Sequence, residues 1–91
     1  MSKEKFFDII IRHLRGHNAS KIAVFGSYAR DEATSRSDID ILIESKKKSF
    51  DNIFELKELL EKEFKKKVDL LYFDSVRRFI MRSIQEELIY A

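Results

Sequence analysis

Asp38 and Asp40 stand two residues apart at the start of a run that is otherwise apolar to Ile43. A Gly26-Ser27 pair lies upstream, with ten residues, 28 to 37, between Ser27 and Asp38. If the acidic run is a strand, both carboxylates leave the same face. Two carboxylates facing one way can hold Mg²⁺, a hard cation that takes oxygen ligands and substrate phosphates. Gly26 ends a second apolar run, Ile22-Ala23-Val24-Phe25, and reads as the start of a turn. Glycine lets a backbone approach a phosphate closely. A helix starting near Ser27 would direct free N–H groups at that phosphate. Arg30 either faces the phosphate too or pairs with Asp31, Glu32 or Asp38. Ser37, just before the acidic strand, either joins the nucleotide site or only closes the polar loop 34–37. The chemistry these types support is phosphoryl transfer. The competing reading has Asp38 capping a turn and Asp40 solvated on an edge; the Gly-Ser pair at this spacing argues against it.

A third carboxylate, Asp69, lies within the apolar run 68–73, where Val68, Leu70 and Tyr72 share one strand face and Asp69, Leu71 and Phe73 the other. A lone buried carboxylate is costly, so Asp69 wants a cation or a partner; otherwise it is a surface position on an edge strand.

The elements that must position these groups follow from periodicity. Phe6, Ile9, Ile10, His13 and Leu14 recur at helical spacing over residues 3–15, and Gly16 suits a C-cap. His13 and His17, four apart at a helix end, read as solvated or packing histidines rather than ligands. Residues 21–25 read as the first strand, 28–33 as a short helix and 38–44 as the second strand, with Ile39, Ile41 and Ile43 facing a helix layer. After the basic loop with Lys46, Lys47 and Lys48, a helix starts at Ser49 or Asp51. Its broad apolar face carries Phe50, Ile53, Phe54, Leu56, Leu59, Leu60 and Phe64. Lys65, Lys66 and Lys67 lead into the third strand. Asp74 or Ser75 caps a last helix with Val76, Phe79, Ile80, Ser83, Ile84 and Leu88 on its apolar stripe. The apolar ending Ile89-Tyr90-Ala91 predicts docking onto the core or a partner. The expected order is α-β-α-β-α-β-α: an α/β fold in which a small three-stranded sheet carries packed helices. Both lysine clusters read as solvated faces or as an electrostatic patch for nucleotide, RNA or an acidic partner.

Gly-Ser, ten residues, then Asp-x-Asp resembles the signature of the nucleotidyltransferases related to DNA polymerase beta. The short chain and the form GSYAR…SDIDILI are similar to the minimal nucleotidyltransferase proteins, many of them antitoxins paired with HEPN-domain toxins. The arginine of such motifs is often followed by glycine; here Asp31 follows, a departure that bears on the turn rather than the chemistry. The resemblance implies a mixed sheet with its first two strands antiparallel, and a third metal-site carboxylate on a later strand, which falls on Asp69. It implies a Mg²⁺-dependent transfer of AMP from ATP to a protein hydroxyl. Asp38, Asp40 and Asp69 would be catalytic and metal-binding for two Mg²⁺ ions, and Gly26, Ser27, Arg30 and Ser37 would bind nucleotide. The acceptor it implies is a tyrosine of a HEPN toxin. A different class of reading is a non-catalytic, nucleotide-sensing module that neutralises a partner by occlusion.

Composition bounds these readings. Ninety-one residues, 44% hydrophobic and 37% charged, fit one folded domain, 1–91. No apolar run approaches the roughly 20 residues of a membrane span, and the N-terminus lacks a signal-peptide core. With no cysteine, disulfides and thiolate metal sites are excluded, and the expected compartment is the cytoplasm. A net charge of +2 is too small to imply nucleic-acid binding by itself.

Overall fold

The structure, a computed structural model, describes residues 2–46 and 48–91. Helix α1 (Lys3–Arg15) starts where the Ser2 hydroxyl accepts from the Lys5 N–H, 3.2 Å, and ends at Gly16. That cap is right-handed; the left-handed residue that turns the chain into the sheet is Asn18, φ 72°. Strand β1 (Ala19–Phe25) begins two residues earlier than the apolar run predicts. It pairs antiparallel with β2 (Ile39–Ser45), matching Val24 to Ile41 and Phe25 to Asp40. Helix α2 (Phe50–Phe64) begins at a Ser49 cap, whose hydroxyl accepts from the Asn52 N–H, 3.1 Å. It ends on left-handed Lys65, φ 55°. Strand β3 (Val68–Tyr72) then lies parallel to β2.

Ile22, Val24, Ile39, Ile41, Ile43, Val68, Leu70 and Tyr72 pack as one cluster with Phe6, Ile9, Ile10 and Leu14 of α1 and Leu56, Leu60 and Phe64 of α2. Both helices therefore cover one face of the sheet. Burying this many branched side chains, at about 1.5–3 kcal/mol each, is the main stabilising contribution.

Three expectations are corrected. The sheet has four strands, in the order β3-β2-β1-β4, because β4 (Ile89–Tyr90) pairs antiparallel with β1, placing Ala23 beside Tyr90 and Val24 beside Ile89. The Ala91 N–H continues that edge to the Ile22 carbonyl, 3.0 Å. Two residues are too few to show a strand period, so only the apolar ending signalled the docking. The helix expected over 28–33 is a single 3₁₀ turn, Gly26–Tyr28, followed by turns. The last helix, α3, is only Arg78–Ile84 and has no buried residue. Asp74 and Ser75 do not cap it: they lie in a separate 3₁₀ turn, Phe73–Ser75, and the α3 N-cap, Arg77, makes no side-chain cap bond. A short helix with neither cap nor packing surface has little to offset its nucleation cost.

On α2, Phe50 and Phe54 are exposed and stack on each other, 6.3 Å between centroids, so the buried face is narrower than the apolar stripe. His17 Nδ1 donates to the His13 carbonyl, 2.7 Å, and His13 lies 4.0 Å from Glu63, so the two histidines do not converge on a ligand.

Candidate active site

The parallel register that packs Ile39 beside Val68 and Ile41 beside Leu70 also places Asp40 directly beside Asp69, on the face away from the helices. The pKa of Asp40 is pushed up to about 6, first by burial, then by the adjacent Asp69 carboxylate and the charge of Asp38; nearby Arg30 opposes the shift. A half-buried pair held this close either shares a proton or takes a cation. Asp38 stands exposed at the mouth, just before β2, close enough for its charge to act on Asp40. Among the described residues, no three histidine, aspartate or glutamate side chains are already gathered as a closed metal cluster. Asp40 and Asp69 converge, and Asp38 flanks them.

Gly26 adopts φ 74°, the left-handed region that favours glycine. It follows Phe25, the β1 residue registered with Asp40, and its Cα lies so near that a Cβ would collide with Asp40 Oδ2. The turn therefore needs glycine twice, for its dihedral and for its proximity to a carboxylate. The N–H groups of Ala29 and Arg30 both bond the Gly26 carbonyl at 3.1 Å. The N–H of Ser27 opens the 3₁₀ turn and has no acceptor within it. Asp31 is left-handed as well, φ 59°. Where related motifs often have glycine, this chain uses a residue that tolerates that region, and Lys3 pairs with its carboxylate at 3.1 Å.

The remaining predicted residues separate by role. Arg30 is exposed; its Nε donates to Glu32, 3.1 Å, and its Nη1 to Glu87, 2.9 Å. Of the partners expected for it, Glu32 is confirmed. Ser37 closes its own loop: its hydroxyl accepts from the Thr34 N–H, 2.8 Å, and its N–H donates to the Thr34 carbonyl, 3.1 Å. From the second lysine cluster, the Lys66 ammonium donates to the carbonyls of Ser35, 2.8 Å, and Thr34, 3.3 Å, and so braces the loop that delivers Asp38. Lys48 pairs with Glu44, 2.7 Å, and with Asp74, which engages Asp74 away from the carboxylate pair. Lys47 of the first cluster lies outside the described residues. Sequence reasoning missed Glu87, which also accepts from the Gly26 N–H at 3.0 Å. It lies in a charged stretch with no periodic signal, 61 residues from its partner.

Comparison with known proteins gives a consistent answer. The family described as Nucleotidyltransferase domain matches residues 4–91. The chain is 45% identical over 78 residues to MJ1379 of Methanocaldococcus jannaschii, provisionally named a protein adenylyltransferase, covering 81% of this chain and 78% of that one. It is 38% identical over 71 residues to the protein adenylyltransferase MntA of Thermococcus cleftensis, covering 77% and 72%. Among solved structures, a mutant of the toxin–antitoxin MntA-HpeT superimposes with a TM-score of 0.79 at 25% identity, covering 93% of this chain and 70% of that one.

Proposed function

The chain belongs to the nucleotidyltransferase domain family, and from that premise we propose that it transfers AMP from ATP to a tyrosine hydroxyl of a HEPN-domain toxin and so acts as its antitoxin. Supporting this reading are the MntA relative's name, protein adenylyltransferase, and the solved neighbour's description as a toxin–antitoxin. The observation that carries it is the register setting Asp40 against Asp69, with Gly26 pressed on Asp40.

The donor set is all carboxylate oxygen and one member is held near pKa 6, a combination that fits a hard divalent cation replacing a shared proton. Asp38, Asp40 and Asp69 would hold two Mg²⁺ ions, which supply charge neutralisation on the triphosphate and acidify the acceptor hydroxyl. The chain's own groups do the rest. Ser27 offers its hydroxyl and N–H to the β- and γ-phosphate oxygens, with Gly26 letting the backbone approach them closely. Arg30 adds positive charge beside them. Asp69 accepts the proton as the acceptor oxygen bonds to the α-phosphorus and the bond to pyrophosphate breaks. Catalysis here is positioning and charge neutralisation, with no covalent enzyme intermediate.

The test incubates the chain and its toxin with α-labelled ATP and Mg²⁺. Label on a toxin tyrosine supports the enzyme; neutralisation without label supports occlusion instead. In the same assay, Asp69→Asn lowers transfer strongly while Mg-ATP binding, followed by calorimetry, persists. Loss of binding together with transfer would make Asp69 a shared ligand rather than an acceptor-side group.

A further inference from the structure

The Glu87 carboxylate joins two ends of the phosphate turn. Oε1 accepts from the Gly26 N–H at 3.0 Å, and Oε2 accepts from Arg30 Nη1 at 2.9 Å. The side chain is only 19% exposed, against 44% for Arg30. Burial alone would raise its pKa, but the hydrogen bonds from Arg30 and Gly26 and the charge of Arg30 hold it below the usual carboxylate range, so it is an anion.

The position of Glu87 is fixed from both sides. Its N–H donates to the Ile84 carbonyl at the end of α3, 3.0 Å, and two residues later Ile89 enters the β4 pairing with β1. The glutamate is thus anchored to the strand that delivers Gly26. Its two bonds use the Gly26 N–H and Arg30 Nη1. The N–H and hydroxyl of Ser27 are not among them, nor is Arg30 Nη2. Arg30, held between Glu87 and Glu32, stays close enough to Asp40 to act on it electrostatically.

Resting on the nucleotide-site reading above, we infer that Glu87 is a positioning residue of the triphosphate site: it braces the Gly26 turn and aims the Arg30 guanidinium, without touching nucleotide itself. The C-terminal segment is then part of the catalytic apparatus rather than a packing appendage. A charge-assisted bond at each end of one rigid carboxylate fixes direction as well as distance. Free of it, Arg30 would sample many rotamers, and ordering it would oppose triphosphate binding.

Calorimetric titration of Mg-ATP into the full chain tests this. Glu87→Ala weakens binding about ten-fold, and Glu87→Gln, which keeps a neutral acceptor for Gly26, about three-fold. In an Arg30→Ala background, Glu87→Ala adds only about three-fold, the share carried by the Gly26 bond, because the rest acts through Arg30. Full additivity in that cycle would make Glu87 a general stabiliser and overturn the inference. So would unchanged affinity in Glu87→Ala, and so would tighter binding, which would mean that the carboxylate competes with phosphate. If the wild-type chain itself fails to bind Mg-ATP, the nucleotide-site reading falls first, and that result is separable from any difference among variants.

Discussion

On the helix side of the sheet, Ile39 lies beside Val68 and Ile41 beside Leu70, all buried under α1 and α2. One residue along on each strand, on the other side, Asp40 lies beside Asp69. A single hydrogen-bond ladder makes both contacts, and the two have opposite energetics. The apolar pairs release water and stabilise the fold. The acidic pair is held together against desolvation and mutual repulsion. A one-residue slip would move the isoleucines to the acidic side and the aspartates into the core. The packed face therefore specifies the register, and the register imposes the strained pair.

That division is broken most directly by removing charge on the acidic side. Asp38→Asn and Asp40→Asn each reduce AMP transfer by about 10³-fold or more while circular dichroism stays native, because anionic oxygens are lost but no apolar contact is. Near-wild-type transfer in both variants, measured with purified protein and Mg²⁺, would remove the site.

The opposite substitution breaks the other side. Ile41 is fully buried, and Ile41→Ala costs about 3 kcal/mol of stability by denaturant unfolding. If the packed face holds the register, transfer measured well below the melting temperature, where the variant is still folded, falls several-fold below wild type because the acidic pair is displaced. Intact activity beside a several-kcal/mol loss would show that the site holds its own geometry.

The two faces also differ in how far sequence revealed them. Alternation along 39–43 and 68–72 showed which residues share a face, and the Gly-Ser to Asp-x-Asp spacing tied a turn to those strands. These are short-range regularities. The C-terminal third was less legible. Phe79, 67% exposed, and Ile80 have helical spacing but stay exposed, and α3 buries none of its residues. Spacing reports only that a face could be buried. β4 is too short for a period. Glu87 acts through a contact that exists only once β4 has joined β1, so no local pattern marks it. Asp31 shows the limit in another way: its left-handed backbone was signalled only by a missing glycine.

The acidic pair should also carry a pH signature in metal-free protein. Asp40 has a folded pKa of about 6 against an ordinary value of 3.8, so between those values the folded chain binds more protons than the unfolded chain. Stability from this group is full below about pH 4, falls as pH rises to about 6, and is flat above. At pH 7 in EDTA, after allowance for partial exposure, Asp40→Asn is more stable than wild type by about 1–2 kcal/mol, and the difference vanishes near pH 4. A difference that instead grew towards low pH would mean that Asp40 is stabilised as an anion by its surroundings, and the strained-pair account would fail.

The smallest effect belongs to the carboxylate left out of the pair. Asp74 follows the same strand as Asp69 and is the next carboxylate along the chain. In the fold it is exposed and bonded to Lys48, whose ammonium also reaches Glu44 and whose pKa both partners raise. Exposed ion pairs contribute little. Asp74→Ala should therefore leave transfer within about two-fold of wild type and the urea midpoint nearly unchanged. Asp69→Asn, five residues earlier, loses transfer in the same assay. The contrast is sharp because both residues are aspartates at the third strand, Asp69 near its start and Asp74 just past its end, and only one is registered against Asp40. Were Asp74→Ala the inactive variant and Asp69→Asn the silent one, the register would not define the site, and Lys48 would be the cation to re-examine as a ligand for the triphosphate.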